Sequence, residues 1–451
     1  MHIGMVVPGF RGHLNPECTL GGALKRRGHR VTVMSTPEGA LVAQQAGLEF
    51  FALGEAEFAS GILAAEKEIL GSLEGMDAFQ QNVKIVARSV RIVLRDLPTI
   101  LKEHRFDALL VDDTSPGAIA VARAYQIPFG TLAATPPLIQ DDPSVPPFLK
   151  NWPCSGQGLA SWPHRIRNWT FHKILFSVMA EPIIAQIRVY NKQHGLQPIL
   201  QDPRHMGLLQ LTQLPECLDF SNRDPVAASH FCYTSPWHEP HRDTSLDFPF
   251  TQLDHSRKIV YVSLGTTQNG IALIYQRIAQ AFRQLEDSVQ LVMALGRQEG
   301  VSDILEALDH PLPKGSIVVG YAPQLMILQE VDAVVSHCGM NTALEAINCG
   351  LPIVAVPLTN DQPGVAARLV QHGVAVMTNS TMATSLEFQQ AISKVLDDVS
   401  YKQAASVMKG QFQKAPKLDA VAELIEYTFQ TGEKLDRARE EVQRILQSPK
   451  H

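Results

Sequence analysis

One rhythm constrains this sequence more than any other feature. Short apolar runs alternate with helix-length amphipathic stretches, and the alternation runs twice along the chain. In the first pass, Ile3–Val7, "RVTVMS" (Arg30–Ser35) and "FDALLVDD" (ending at Asp112 and Asp113) read as buried strands. Helical patterns lie between them at Leu14–Arg27, closed by Gly28, and at about Ala78–Lys102. In the second pass, "KIVYVSLGTT", "VQLVMALG", "GSIVVGYAP", "DAVVSHCG" and "LPIVAVP" are the strands, and Pro363 suits a first helical position. Strands separated by helices predict a parallel sheet wound on both faces. The expectation is therefore two similar doubly wound α/β halves. The chain's 451 residues also exceed what one ordinary core holds.

The rhythm breaks in two places. Pro136–Trp169 is rich in proline and carries three of the four tryptophans, Trp152, Trp162 and Trp169. Tyr233–Lys258 is a second irregular stretch and reads as an interdomain linker. The expected units are 1–235, a linker over 236–257, and 258–430. A tail over 431–451 follows, with Leu435, Ala438, Val442 and Ile445 at helical spacing.

Composition excludes several classes. A hydrophobic content of 45% and a charged content of 19% make a globular chain. The net charge of −6 speaks against non-specific nucleic-acid binding. No apolar run approaches the roughly 20 residues that span a bilayer, and the start lacks the pattern of a secretory leader. The expectation is a cytoplasmic protein. The six cysteines (Cys18, Cys154, Cys217, Cys232, Cys338, Cys349) form no CxxC pair and signal neither a disulfide framework nor a zinc site.

Ligands of open parallel sheets bind beyond the carboxyl ends of the strands. The polar clusters fall there: His13 and Asp112 in the first half, and Gly265-Thr266, His337–Glu345 and Asp361-Gln362 in the second. In "SHCGMNTALEAINCG" a strand ends at Ser336 and a helix begins near Gly339 or Met340. A helix N-terminus offers free N–H groups and partial positive charge to an anion. Gly339 lets the anion approach, and His337 and Thr342 add donors. Asn341 and Glu345 share a helix face, and a carboxylate one turn beyond a phosphate suits a ribose diol. The competing reading is a capped helix with Glu345 on its solvent face. Asp361-Gln362 taken alone is equally an ordinary loop and cap, and Gly265-Thr266 a common strand-end turn. "GFRGHLNP" (Gly9–Pro16) poses its own question, because two glycines suit a phosphate cradle while His13 suits proton transfer. No GxGxxG follows the first strand, which disfavours a dinucleotide oxidoreductase.

The stretch from Tyr321 to Gln362 resembles the donor-binding signature of UDP-dependent inverting glycosyltransferases. The matching residues are "YAPQ" (Tyr321, Ala322, Pro323, Gln324), "SHCGMNTALE" (Ser336–Glu345), "GLP" (Gly350–Pro352), Pro357 and "DQ" (Asp361-Gln362). "DQPGVAAR" is most similar to the zeaxanthin glucosyltransferase branch. The resemblance implies a GT-B fold, in which two Rossmann-like domains face across a cleft and a C-terminal helix returns to the first. It assigns the first unit to the acceptor and the second to the nucleotide sugar. Gly265, Thr266, Ala322, Gln324 and Gly339 would shape the donor site, and Tyr321 would stack on uracil. His337, Asn341 and Thr342 would hold the diphosphate, Glu345 the ribose, and Asp361 and Gln362 the sugar. His13 would be the general base. Asp112 matches its partner's position, with Asp113 the alternative. Met340 departs from the Trp usual in plant members, and the segment from YAPQ to His337 is shorter than theirs.

The partners implied are a UDP-sugar and a hydrophobic hydroxylated acceptor, with no cofactor. No metal is expected, because the sequence shows no carboxylate cluster to hold one. The aromatic stretch, with Phe171 and Phe176, reads as the acceptor wall. Lys150, Arg165, Arg167 and Lys173 among its aromatics allow weak membrane-surface contact through 136–176. The rival readings are a UDP-sugar epimerase and a non-catalytic nucleotide-sugar-binding subunit.

Overall fold

The structure is a computed structural model. It describes residues 1–137, 145–146, 150, 162–197, 203–220, 230–238, 246–297 and 311–447. Two parallel sheets carry the chain. The first is built from β1 (His2–Val6), β2 (Arg30–Ser35), β3 (Glu49–Ala52), β4 (Ala108–Asp112), β5 (Phe129–Ala133), β6 (Gln210–Thr212) and β7 (Phe231–Tyr233). The second uses β8 (Lys258–Ser263), β9 (Val289–Ala294), β10 (Ile317–Val319), β11 (Ala333–Ser336), β12 (Ile353–Ala355) and β13 (Ala375–Met377). The orders are β3-β2-β1-β4-β5-β6-β7 and β10-β9-β8-β11-β12-β13. Each order reverses once, between β1 and β4 and between β8 and β11. Such a reversal opens a crevice at the carboxyl ends of the two central strands. The strands β4, β8, β9 and β11 are apolar and almost entirely buried, as sheets covered on both faces require.

Several boundaries differ from expectation. The first helix runs Arg11–Arg26, so His13 lies in its first turn rather than in a loop before it. Leu214 and Leu218 leave the first half and pack in the second core, joined there by Phe248 and Leu253. Trp237, placed in the expected linker, is buried in the first core instead, and 239–245 lies outside the described residues. The return to the first half begins at Leu418 rather than after residue 430. The helix Leu418–Thr431 buries Ala420, Val421, Leu424 and Ile425 against Leu20 and Leu24 of the first helix. The tail helix is only Glu440–Leu446. Leu435 is buried ahead of it, where its N–H reaches the Leu208 carbonyl. Apolar spacing alone does not separate that anchored turn from a longer helix. Among the described residues, no helix is long and apolar enough to cross a membrane.

Candidate active site

The crevices of the two sheets face each other across one cleft of about 2180 Å³, lined from both halves. On the first side, β1 delivers the chain into the Arg11–Arg26 helix and adjacent β4 ends at Asp112. His13 Nδ1 lies 2.7 Å from Asp112 Oδ2. Asp112 is fully buried, and its other oxygen accepts from the Thr114 backbone N–H at 2.8 Å and from the Thr114 hydroxyl. Of the two aspartates weighed for this role, Asp112 makes the contact.

Burial alone would push the His13 imidazole down. The charge and hydrogen bond of Asp112, with Asp113 and Asp361 beyond, outweigh it and raise the pKa to about 8. The positive potential of the helix N-terminus, which would favour neutral imidazole, is overcome by these carboxylates. Asp112 resists its own burial through His13, Glu17 and Thr114, and its carboxyl stays well below the usual range.

Pro16 connects this turn to the other half. A proline inside a helix has no N–H for the carbonyl four residues back. That carbonyl belongs to Gly12, and it accepts instead from Asn341 Nδ2 of the second half at 2.9 Å. Asn341 Oδ1 accepts from Gln213 Nε2, beyond β6, at 2.8 Å. The residue expected to hold a diphosphate therefore bridges to the backbone beside His13.

On the second side, β11 ends at Ser336 and the helix Met340–Asn348 follows with Gly339 as its N-cap. Between them Cys338 adopts φ 63°, a left-handed conformation unusual for a side chain. The His337 ring is wedged between two glycines. A Cβ on Gly339 would stand 2.4 Å from its Nε2, and one on Gly265 2.6 Å from the same atom. Desolvation lowers His337 to about 4, with the Ser263 backbone pulling the other way. It is a neutral donor at neutral pH.

Glu345 is 1% exposed, so the solvent-face reading does not hold. Gln324 Nε2 donates to Glu345 Oε2 at 2.5 Å and to the Thr342 hydroxyl at 3.3 Å. His238 Nδ1 stands 3.6 Å from Glu345 Oε1. Tyr321 lines the cleft beside Ala322 and Thr266, with the Arg11 guanidinium 5.5 Å from its ring centre.

Asp361 caps the helix Gln362–Gln371 without using its side chain for the cap. Burial raises it to about 6, against its backbone hydrogen bond and the charge of His13. Gln362 is more structural than its motif implies. Its carbonyl oxygen accepts from the backbone of Leu358 and Thr359, and its amide donates to Gln268.

The sequence reading missed Glu17, Arg11, Gln213 and Gln268. For Glu17 a signal existed, because it follows His13 by one helical turn. Gln213 and Gln268 carry no local signal, since only the folded sheets bring them to the cleft. Among the described residues His13, Glu17 and Asp112 converge, with ligand atoms all within 4.8 Å of one another. The segments 138–144, 147–149 and 151–161, with Trp152 and Cys154, lie outside the described residues. Of the expected acceptor wall, Trp169 lines the cleft, and Lys173 and Leu175 beyond it do so too.

Two facing parallel sheets, each with its crevice turned to a common cleft, are the architecture of a GT-B glycosyltransferase. The chain belongs to the UDP-glucoronosyl and UDP-glucosyl transferase family, whose profile matches residues 22–428. It is 26% identical to the zeaxanthin glucosyltransferase of Pantoea ananas over 440 residues, 96% of this chain and 97% of that one. It is 25% identical to the NDP-glycosyltransferase YjiC of Bacillus subtilis (strain 168) over 432 residues, covering 94% and 96% of the two chains. The solved structure of the glycotransferase of kitacinnamycin superposes with a TM-score of 0.72 at 22% identity, over 95% of this chain and 99% of that one. The protein is thus an enzyme, a hexosyltransferase that takes its sugar from a nucleotide sugar.

Proposed function

We propose that the enzyme transfers glucose from UDP-glucose to a hydroxyl of a lipophilic acceptor, with inversion and without a metal. His13 takes the acceptor proton as the oxygen attacks the anomeric carbon. The bond from that carbon to the UDP oxygen breaks, and UDP leaves from the opposite face. An α-linked donor then gives a β-glucoside. Asp112 orients the imidazole and stabilises the imidazolium that forms. The N-terminus of the Met340–Asn348 helix, with His337 and Thr342, meets the charge growing on the diphosphate. Tyr321 stacks on the uracil, Glu345 and Gln324 take the ribose, and Asp361 and Gln362 take the sugar.

One observation carries this reading. Asn341 reaches the carbonyl of Gly12, the residue before His13, so the base and the diphosphate helix share one corner of the cleft. The likeness to the zeaxanthin glucosyltransferase of Pantoea ananas supports a hydroxylated carotenoid-like acceptor. The test is a mass-spectrometric screen of lipophilic alcohols with UDP-glucose, with the anomeric configuration read by NMR and a chelator control. Transfer giving an α-glucoside, or loss of transfer on chelation, contradicts the scheme.

The acceptor side also meets a membrane surface in this proposal. The helix Trp162–Ile174 leaves Trp162 59%, Ile166 55% and Trp169 54% exposed, and Ile174 and Val178 continue the stripe. Arg165, Arg167 and Lys173 accompany it, with no acidic residue between 162 and 180. Tryptophan and basic residues together suit an anionic lipid interface. Co-flotation with phosphatidylserine vesicles, weakened by Trp162→Ser and Trp169→Ser, is expected; no binding to any vesicle contradicts it.

A further inference from the structure

His13 and Glu17 are four residues apart on the Arg11–Arg26 helix and so share one face of it. That face meets the end of β4. Glu17 is 0% exposed. Ionised, neither of its oxygens has a hydrogen-bond donor. The group within reach is Asp112, which as a carboxylate is also only an acceptor. Asp112 is already committed, with one oxygen on His13 and the other on Thr114. Asp113, 3% exposed, stands beside it. Both aspartates repel a further negative charge in this dry space, and one proton removes the conflict.

We propose that Glu17 is a positioning residue held as the neutral acid, donating its hydrogen bond to Asp112 and thereby setting the basicity of His13. The inference rests on His13 being the base. The electrostatics agree in direction. Burial first, then the charge and hydrogen bond of Asp112, then Asp113 and Cys18, push Glu17 well above the usual carboxyl range. A hydrogen bond to the charged form of Asp112 steadies that carboxylate and draws some of its charge away from the imidazole. Removing the donor leaves Asp112 to hold the imidazolium more firmly. Ionising Glu17 would add another negative charge and hold it more firmly still. The neutral acid is the state that keeps His13 able to lose its proton. The other charged groups acting on His13 are Asp113 at the end of β4 and Asp361 from the second half.

The test compares the acid limb of kcat/KM against pH for wild type, Glu17→Gln and Glu17→Leu, with UDP-glucose and one simple alcohol. The Leu variant removes the donor at similar size, and its limb moves up by about one pH unit. The Gln variant keeps an N–H for Asp112, and its limb stays with wild type. Infrared spectra of the unliganded protein in mildly alkaline buffer show a buried protonated-carboxyl band in wild type that Glu17→Gln lacks. This band does not depend on catalysis or on the Leu variant folding, so it separates a failure here from a failure of His13 as base. A limb that drops in Glu17→Gln means Glu17 is ionised and overturns the proposal. Absence of the band overturns it, as do two folded variants whose limbs both stay at the wild-type position.

Discussion

At the crevice of the first sheet, His13, Glu17, Asp112 and Asp113 crowd together, and their protonation is mutually dependent. At the crevice of the second, the side chains near the helix N-terminus are neutral: His337 lowered to about 4, Asn341 and Thr342. The two crevices have the same topology, but titratable groups crowd the first while neutral groups line the helix N-terminus at the second. Moving a proton requires a group whose charge can change, and nearby carboxylates make that change possible at neutral pH. Holding and releasing an anion is better served by fixed dipoles, which need no counter-ion and no reorganisation. Under the proposed function, similar scaffolds serve as a reactive corner and a binding corner.

The contrast breaks most visibly at His13. His13→Ala is expected to lower kcat with a simple alcohol by about 10²–10⁴ while leaving the Kd for UDP nearly unchanged. Steady-state rates and calorimetric titration check both halves of that statement. Asp112→Asn should also lose activity, and the double variant should be little worse than either single one, since the pair acts as a unit.

Glu345→Ala reverses the pattern. Losing charge-assisted hydrogen bonds to a ribose diol costs about 1.5–3 kcal/mol, or roughly 10- to 150-fold in Kd for UDP. The single-turnover rate of the saturated complex should change far less. Unchanged affinity for UDP removes the ribose assignment.

The acid limb sharpens the comparison through pH. In the proposed role His13 works as neutral imidazole, and its pKa is raised to about 8, so kcat/KM should climb as pH rises through that value. Asp112→Asn removes the charge that raises it, and the limb of the residual activity moves down. A profile flat from neutral pH to above 8 contradicts the assignment.

Asp361→Ala is the subtlest variant. Its carboxyl is raised to about 6 and is mostly ionised at neutral pH, ready to accept from sugar hydroxyls. Relative rates with UDP-glucose, UDP-galactose and UDP-xylose should converge, because a site built around hydroxyls rejects sugars that leave its polar groups unpaired. Identical rate ratios in wild type and variant contradict the role.

The sheets were legible because parallel strands are buried on both faces and print as apolar runs; β4, β8, β9 and β11 fall where those runs lie. The short strands β3, β6 and β7 were not. Each is only three or four residues long, too short for a period to show. The donor corner was legible as a linear motif because one strand-turn-helix supplies His337, Asn341, Thr342 and Glu345. The reactive corner was half legible. His13 and Asp112 stood out as polar residues at strand ends, whereas Glu17 hid inside a helical pattern that reads as amphipathic with or without it. Gln213 and Gln268 were invisible, since their positions depend on how the two halves meet.

The central claim is that the first crevice moves a proton and the second does not. The most direct measurement is the rate of His13→Ala relative to wild type across acceptors of graded acidity, from a simple alcohol to a nitrophenol and a thiophenol. An acceptor that ionises by itself needs no base. The account predicts a ratio far below one for the alcohol that rises toward one as the acceptor becomes more acidic. A loss of the same size for every acceptor would contradict it and leave His13 as a residue that only shapes the cleft.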